Sequence, residues 1–360
     1  MEFVMKWDNM FAVVIAVSLG YLTSRSLTHI IACLERLLSI LYGKTLYSTL
    51  QGKHVVVTGG SSGIGYAIAK RALEDGASVT LVARNVEKLQ KAKASLLEES
   101  SYLLDAVHVK SADVSDAIAI TAAIRDSQER KPIDILVCNA GVIFPGLIDE
   151  VSATELEDTV KANLLGTVYP IHAAIPLMKS CGPRTPKSIV LVSSVAGLHQ
   201  SYGANVYSPT KYAQRGLAEN LRWELLPCNI HMHVVCPRFV DTPMLQGEFM
   251  SAGEANSELA KISREMNFFN PDHIATANHV AKCTWAGVRR GRFLITTDWV
   301  GHLLAVVSRG PIPEDSIATD IWELLLILPV RLLGFVLKGK LTQTIRRLVT
   351  IPSHTEISNQ

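Results

Sequence analysis

A short glycine-rich segment constrains the fold of this chain more than any other part of the sequence. Residues 58–65 read Thr-Gly-Gly-Ser-Ser-Gly-Ile-Gly, directly follow the apolar run 55–57, and lead into a helical pattern over residues 66–73. A strand, a glycine turn and a helix in this order allow helix N-terminal amides to bind the phosphates of a dinucleotide. Glycine strings also occur in ordinary loops, so the prediction depends on the flanking strand and helix.

A tyrosine and a lysine far downstream form the second informative pattern. Tyr207 and Lys211 are four residues apart, about one helical turn, so both side chains are expected on one face of a helix. Pro209 between them is compatible with a first helical turn. We expect the ammonium to lower the pKa of the phenol from about 10, so that the phenol can protonate a carbonyl oxygen. The alternative is an exposed aromatic residue beside a solvated lysine.

Further motifs accompany these two in a fixed order along the chain. The order is residues 58–65, Asn139-Ala140-Gly141, Asn163, Ser194, Tyr207 and Lys211. This pattern resembles the short-chain dehydrogenase/reductase family, and the resemblance covers roughly residues 52–300. It implies a nicotinamide-dependent oxidoreductase that interconverts ketones and alcohols.

The resemblance also implies a role for each matching residue. Tyr207 would be the general acid and base, and Lys211 would hold the ribose hydroxyls and lower the pKa of Tyr207. Ser194 would polarise the substrate carbonyl, and Asn163 would help to position a proton-relay water. Asn139 would close the end of a strand over the cofactor. We predict no metal site.

The end of the second predicted strand indicates which nicotinamide cofactor is used. NAD enzymes usually have an acidic residue there, whereas this chain has Arg84, which can bind a 2′-phosphate. We therefore predict NADP(H), although Arg84 could also be a surface residue that starts the next helix. In the family, Asp113 and Val114 stand where the adenine is bracketed. The predicted cofactor-binding residues are Gly59, Ser61, Ser62, Gly63, Ile64, Gly65, Arg84, Asp113, Val114 and Asn139, with Tyr207 and Lys211.

Short apolar segments alternate with helical patterns through the middle of the chain. Their nearly continuous Val, Ile and Leu content is typical of parallel strands buried on both faces. The predicted strands are His54–Thr58, Ser78–Val82, Asp105–Lys110, Ile133–Asn139, Ser188–Ser194, His231–Cys236 and Phe293–Thr296. We predict an α/β fold with a Rossmann-like, doubly wound parallel sheet of about seven strands and helices on both faces. The ligand crevice should lie at the carboxyl ends of the strands.

Composition excludes some partners and favours others. The formal net charge of +2 is too small to argue for nucleic acid, and the hydrophobic share of 48% favours lipid contact. The six cysteines show no paired spacing, which argues against a disulfide framework or a zinc site.

The chain of 360 residues exceeds a single doubly wound domain at both ends. We divide it into a membrane anchor with an amphipathic helix (1–50), a reductase domain (51–300) with a substrate lid (241–270), and a C-terminal apolar and basic segment (301–360). The uncharged run near the start is shorter than the ~20 residues of a standard span. It could cross a bilayer, lie in its interface, or be a signal peptide. The C-terminal segment could bind a membrane or form a dimer helix.

Within the family, the sequence looks most similar to one subfamily in residues 55–65, 80–85, 166–170 and 215–219 and in its apolar C-terminal region. That subfamily reduces the C3 ketone of 3-ketosphinganine with NADPH. That resemblance implies sphingolipid synthesis at the endoplasmic reticulum membrane, with the catalytic domain facing the cytosol. The alternatives are a membrane-associated hydroxysteroid or retinoid reductase and a non-catalytic NADPH-binding scaffold. A homodimer is possible through the helices around Asn163 and Tyr207. Arg238 departs from the glycine that many family members have there, which puts the local turn in doubt.

Overall fold

The computed structural model describes residues 45–98, 104–249 and 274–308, and four isolated positions (327, 339, 343 and 344). The predicted N-terminal anchor, the later part of the lid and nearly all of the C-terminal segment lie outside the described residues. No helix among the residues described combines the length and apolar character that a bilayer crossing requires.

Seven parallel strands form the central sheet, as predicted. The strands are β1 (His54–Thr58), β2 (Ser78–Ala83), β3 (Val107–Ser111), β4 (Ile135–Cys138), β5 (Lys187–Val192), β6 (Ile230–Cys236) and β9 (Leu294–Thr296). In space their order is β3-β2-β1-β4-β5-β6-β9. Two short segments, β7 (Val240–Asp241) and β8 (Ala275–Thr276), pair separately. This small second sheet was not predicted.

Helices cover both faces of the large sheet. They are α1 (Gly63–Glu74), α2 (Val86–Glu98), α3 (Ala117–Arg130), α4 (Ala153–Val160), α5 (Gly166–Ser180), α6 (Tyr207–Leu225), α7 (Ala277–Arg289) and α8 (Trp299–Ser308). One apolar core lies between the sheet and α1, α2 and α7, and a second lies between the sheet and α3, α5, α6 and α8. The domain is therefore a three-layer α/β sandwich.

The strand sequences explain why both faces are covered. All five residues of β1 are buried, and successive side chains point to opposite faces of the sheet. Val55 and Val57 pack into one core, and Val56 packs into the other. A strand that is apolar at every position is stable only when helices cover both of its faces.

The position of β1 in the sheet locates the crevice. β1 pairs with β2 on one side and with β4 on the other, so the chain reverses its direction of winding between them. Ligands of open parallel sheets bind at this switch point, beyond the carboxyl ends of the strands. The glycine-rich segment follows β1, and Asn139 follows β4, at this place.

Candidate active site

The glycine-rich segment forms a cradle that a side chain would fill. Gly59 has φ +63° and Gly63 has φ +56°, a region that residues with side chains rarely adopt. A Cβ atom at Gly59 would lie 2.9 Å from the Cα of Ala140, and one at Gly65 would lie 2.5 Å from the carbonyl oxygen of Gly59. Ser62 is the N-cap of α1 and makes no side-chain cap hydrogen bond. Close backbone approach and a helix N-terminus fit a pyrophosphate.

Asn139 joins the end of β4 to this cradle. Its side-chain amide donates to the carbonyl oxygens of Thr58 (3.2 Å) and Gly59 (3.1 Å). Its backbone amide donates to the hydroxyl of Thr58 at 3.0 Å. Asn139 thus holds the two strand ends together below the predicted cofactor, which agrees with the role that the resemblance implies.

Arg84 lies at the end of β2 with its side chain 69% exposed. Among the described side chains its guanidinium pairs with Asp113, at 3.5 Å. Hydrogen bonds from Ser115 outweigh the effect of partial burial and lower the pKa of Asp113, and the charge of Arg84 contributes to the same shift. Val114 is buried against Gly166. An exposed guanidinium with one weak partner can donate hydrogen bonds to a phosphate at this position.

Tyr207 and Lys211 share one face of α6, as their spacing predicts. The Nζ of Lys211 lies 5.3 Å from the centroid of the Tyr207 ring. Lys211 is 3% exposed, and its ammonium donates to the carbonyl oxygen of Val192 at 3.0 Å. Tyr207 is half-buried. The ammonium is therefore fixed below the phenol by the last residue of β5.

Ser194 reaches the same point from the end of β5. It begins a short 3₁₀ turn, Val195–Gly197, and its hydroxyl accepts a hydrogen bond from the amide of Ala196 at 3.1 Å. The hydroxyl also lies close enough to the phenol of Tyr207 to lower the pKa of that phenol. Two hydroxyl groups side by side can bind one carbonyl oxygen, which is the arrangement that ketone reduction requires.

The predicted direction of the pKa shift of Tyr207 is wrong in this structure. Burial raises the pKa of Tyr207 to about 12, and the hydrogen bond with Ser194 opposes that shift only in part. Burial also lowers the pKa of Lys211 to about 8. Loss of solvation around both groups outweighs the attraction that spacing alone suggests. The phenol is therefore neutral at physiological pH, which is the form that donates a proton.

Asn163 lies in a π-helical segment, Lys161–Leu165, between α4 and α5. Its side chain accepts from the amide of Val142 (2.8 Å) and donates to the carbonyl oxygen of Val142 (2.9 Å) and the hydroxyl of Thr210 (3.2 Å). Single π-helical turns often mark functional sites. Here the turn aims a buried amide at the loop after β4, and the predicted relay water stays a prediction.

Gly141 separates Asn163 from Lys211. A Cβ atom at this glycine would lie 2.9 Å from Oδ1 of Asn163 and 3.8 Å from Nζ of Lys211. The absent side chain therefore leaves both polar atoms facing the same small space. This is where a water that links them would fit.

Several polar residues that support the site were not predicted. Ser193 donates to the carbonyl oxygen of Lys211 (3.1 Å), and Ser208 donates to that of Ala196. Thr210 donates to the carbonyl oxygen of Tyr207 at 2.6 Å. Gln214 donates to the carbonyl oxygen of Asn163 at 2.8 Å. The sequence did contain a signal, because polar residues recur at helical spacing on the face of α6 that carries Tyr207.

Arg238 does not disturb the end of β6. Its Nη1 pairs with Oδ2 of Asp298 at 3.2 Å, and both side chains are partly buried. The carbonyl oxygen of Pro237 accepts the amide of Val195 at 3.0 Å. The turn that lacks the usual glycine is thus anchored to the turn of Ser194 and to the segment after β9.

The strand order, the glycine cradle and the Ser194–Tyr207–Lys211 group are typical of one class of enzyme, and comparison of the sequence agrees. The pattern that defines the short chain dehydrogenases matches residues 53–252, more than half of the chain. The chain belongs to the short-chain dehydrogenase/reductase family.

Proteins of similar sequence have names that specify a substrate. A 3-dehydrosphinganine reductase of Arabidopsis thaliana is 36% identical over 82% of this chain and 85% of the relative. A 3-ketodihydrosphingosine reductase of Mus musculus is 34% identical over 86% of this chain and 90% of the relative.

Solved structures agree at the level of the fold. Levodione reductase superposes with a TM-score of 0.62 at 26% identity, over 71% of this chain and 98% of its own. An actinorhodin polyketide ketoreductase with NADPH superposes with a TM-score of 0.58 at 27% identity, over 67% of this chain and 91% of its own.

Proposed function

We propose that this chain reduces 3-ketodihydrosphingosine (3-ketosphinganine) to dihydrosphingosine with NADPH, as a step of sphingolipid synthesis. One arrangement carries the reaction type: Ser194 lies close enough to Tyr207 to lower the pKa of its phenol, and the buried ammonium of Lys211 lies below that ring, beside the glycine cradle. The substrate is supported by the relatives, which are named for this reaction in plants and animals.

The residues of the site divide the proton chemistry among themselves. The hydroxyls of Ser194 and Tyr207 bind the ketone oxygen, and the neutral phenol gives its proton to that oxygen as the alcohol forms. Lys211 holds the ribose hydroxyls, and together with Asn163 it resupplies the proton through water. When bound, NADPH supplies the hydride that the carbonyl carbon accepts.

The residues that would hold the cofactor line the crevice from end to end. The cradle around Gly59 and Gly63, with the N-terminus of α1, would bind the pyrophosphate. Arg84 would bind the 2′-phosphate, and Asp113 and Val114 would bracket the adenine.

We further propose that the enzyme works at the endoplasmic reticulum membrane with its catalytic domain facing the cytosol. The apolar segments at both ends of the sequence support this location. Three large apolar side chains near the carboxyl ends of the strands are also exposed. They are Ile148 (57%), Met244 (37%) and Trp299 (40%), and Trp299 is the first residue of α8. Met244 lies in the predicted lid, and these three exposed side chains are candidates to contact the apolar chain of the substrate.

A second copy of the chain is the protein partner that we propose. Tyr212 and Trp223 on α6, and Leu226 just beyond it, are exposed by 42%, 60% and 58%. Among the described residues these apolar side chains remain exposed on one helix face, and such a face favours a homodimer. Analytical ultracentrifugation in detergent tests this, and a monomer at micromolar concentration contradicts it.

Turnover of candidate substrates by the purified protein tests the function. In detergent with NADPH, we expect rapid reduction of 3-ketosphinganine and slow or no reduction of a ketosteroid or of retinal. Preference for either of the last two would replace the proposed substrate and keep the reaction type. If the protein binds NADPH but turns over none of the three, the proposal of a reductase is wrong. Tyr207→Phe serves as the inactive control.

A further inference from the structure

Helix α8 begins where the sheet meets the active site. Asp298 is the residue directly before it, and its Oδ1 accepts a hydrogen bond from the amide of Gly301 at 2.7 Å. The carbonyl oxygen of Asp298 accepts the amide of His302 at 3.0 Å. Asp298 therefore caps this helix, and it does so with only one of its two carboxylate oxygens.

The second carboxylate oxygen of Asp298 pairs with Arg238. The two side chains are 31% and 21% exposed, so the pair is partly shielded from solvent. Arg238 directly follows Pro237, whose carbonyl oxygen accepts the amide of Val195. Val195 is the residue after Ser194. The cap of α8 is thus joined, through one ion pair and one backbone hydrogen bond, to the turn that carries the Ser194 hydroxyl.

The body of α8 touches the same turn. A Cβ atom at Gly301 would lie 3.6 Å from Cγ1 of Val195 and 3.4 Å from the Cβ of Thr296. Helix α8 thus lies beside this turn, at a spacing where a methyl group on Gly301 would make ordinary van der Waals contact with Val195. The Arg238–Asp298 pair adds a polar link between the start of the same helix and the turn.

The other end of α8 is bound to the catalytic helix. Nη2 of Arg215 donates to the carbonyl oxygen of Ser308 at 2.8 Å, and Nη1 donates to its hydroxyl at 3.1 Å. Nε pairs with Glu219 at 2.7 Å, and Arg215 is 8% exposed. A cation at a helix C-terminus is stabilising. Arg215 lies one turn beyond Lys211 on α6.

We propose that Arg238 and Arg215 are positioning residues, which act through α8 to hold the Ser194 turn against the catalytic helix α6. The inference rests on one part of the proposed function, namely that the hydroxyls of Ser194 and Tyr207 bind the same carbonyl oxygen. It does not depend on which ketone is reduced. The side chain of Arg215 binds Glu219 and Ser308, and that of Arg238 binds Asp298, so both act on the site through other residues.

The departure from the family at residue 238 agrees with this role. Many family members have a glycine there, which has no side chain to reach Asp298. With glycine, Asp298 could cap α8 but could not connect it to the Ser194 turn. The arginine of this chain therefore adds a fixed link at the position where the chain turns toward the nicotinamide end of the crevice.

Two variants separate positioning from simple support of the fold. Asp298→Asn keeps an acceptor for the amide of Gly301 but removes the charge that Arg238 pairs with, and Arg238→Met removes the guanidinium at similar length. We expect each to lower kcat about tenfold, with little change in the Kd of NADPH, because small displacements of reacting groups are costly. Because the two residues act as one unit, the double variant should be no worse than either single variant. Arg238→Lys should recover most of the rate.

Amide hydrogen exchange gives a readout independent of activity. The amides of Val195 and Gly197 should exchange about tenfold faster in Arg238→Met, Asp298→Asn and Arg215→Met, because the turn opens more often. Arg289→Met is the matched control, since it removes an arginine that pairs with Asp75 at the opposite edge of the sheet. It should lower the melting temperature without changing kcat or the exchange of this turn.

Two results would overturn the inference. One is additive losses of kcat in the double variant, which would mean that Arg238 and Asp298 act separately. The other is a fall in melting temperature with kcat and exchange unchanged, which would leave α8 a purely structural helix. Failure of the proposed substrate is distinguishable from both, because the exchange of Val195 and Gly197 does not require turnover.

Discussion

The ammonium of Lys211 lies 5.3 Å from the centroid of the Tyr207 ring and donates its hydrogen bond to the carbonyl oxygen of Val192. The polar group that acts on the pKa of the phenol is instead the hydroxyl of Ser194. Lysine and tyrosine are thus held as two separate groups on one face of α6. The phenol provides the proton, and the ammonium provides a fixed positive charge.

Removing the phenolic hydroxyl should abolish proton donation without disturbing the crevice. We expect Tyr207→Phe to lower kcat by about 10²- to 10⁴-fold, the usual contribution of a positioned general acid. The Kd of NADPH, measured by fluorescence titration, should stay nearly constant, because the cradle around Gly59 is formed by other residues. Tyr212→Phe is the control, since that tyrosine is on the same helix and 42% exposed. A Tyr207→Phe enzyme that keeps most of its rate would refute the assignment.

Reduction should become slower in alkaline solution because Lys211 loses its charge. Burial lowers the pKa of Lys211 to about 8, whereas burial raises the pKa of Tyr207 to about 12. Below pH 8 both groups are protonated, and above it the ammonium disappears while the phenol remains neutral. We therefore expect kcat to be constant below the pKa of Lys211 and to fall above it, measured from pH 6 to 10.

Lys211→Arg distinguishes this explanation from a general alkaline effect. An arginine keeps its charge throughout this range, so the fall near pH 8 should vanish even if the overall rate is lower. If the variant retains the same alkaline limb, another group controls it.

Much of the fold followed from local sequence. β1 was predicted with its exact bounds, because His54–Thr58 is bounded by a glycine turn and is apolar at its centre. β5 was predicted to run to Ser194 but ends at Val192. The backbone amide of Ser193 still donates to Val235 of β6, but its hydroxyl donates to α6, and the hydroxyl of Ser194 accepts from the following turn. The apolar pattern of a strand does not show at which residue the side chains begin to contact the elements of the active site.

Other features depend on contacts that spacing does not encode. The pKa of Tyr207 depends on how deeply the phenol is buried, and the partner of Arg238 is 60 residues away in sequence. The π-helical turn that aims Asn163 has no signature in the residues around it. The chemical roles in the site were predictable because they follow from the types of side chain in the motif. The pKa values were not, because they depend on how the folded chain buries each group.

Arg84 should decide between NADPH and NADH. Its guanidinium is exposed and has one weak partner in Asp113, so it is available for the 2′-phosphate. We expect Arg84→Ala to raise the KM for NADPH about tenfold to hundredfold, the usual value of a charge-assisted hydrogen bond. The KM for NADH should hardly change, because NADH lacks that phosphate.

An arginine elsewhere on the surface provides the control for this experiment. Arg130 is exposed and pairs with Asp105. Both residues lie near the amino ends of the strands, whereas Arg84 follows the carboxyl end of β2. Arg130→Ala should leave both KM values unchanged. Equal effects of Arg84→Ala on NADPH and NADH would mean that Arg84 does not bind the 2′-phosphate.

Two buried histidines should make the fold sensitive to acid. Burial lowers the pKa of His54 and of His233 from 6.5 to about 4, against the opposing effect of hydrogen bonds to the carbonyl oxygens of Lys131 and Arg292. Both groups are neutral in the folded state, and the unfolded chain takes up protons first as the pH falls. Their stabilisation is therefore complete above pH 6.5 and is lost as the pH falls through 4. Each accounts for about 3 kcal/mol over that range.

Denaturant unfolding at a series of pH values measures this loss. The free energy of unfolding should decrease from pH 6.5 to 4, and His54→Gln or His233→Gln should each reduce that decrease by roughly one half. His172→Gln is the control, because His172 is exposed on α5 and should leave the pH dependence unchanged. Acid sensitivity that persists fully in the double variant His54→Gln/His233→Gln would assign it to carboxylates instead. Glutamine can keep one hydrogen bond at each site but cannot be protonated, so the comparison isolates the titration from the packing.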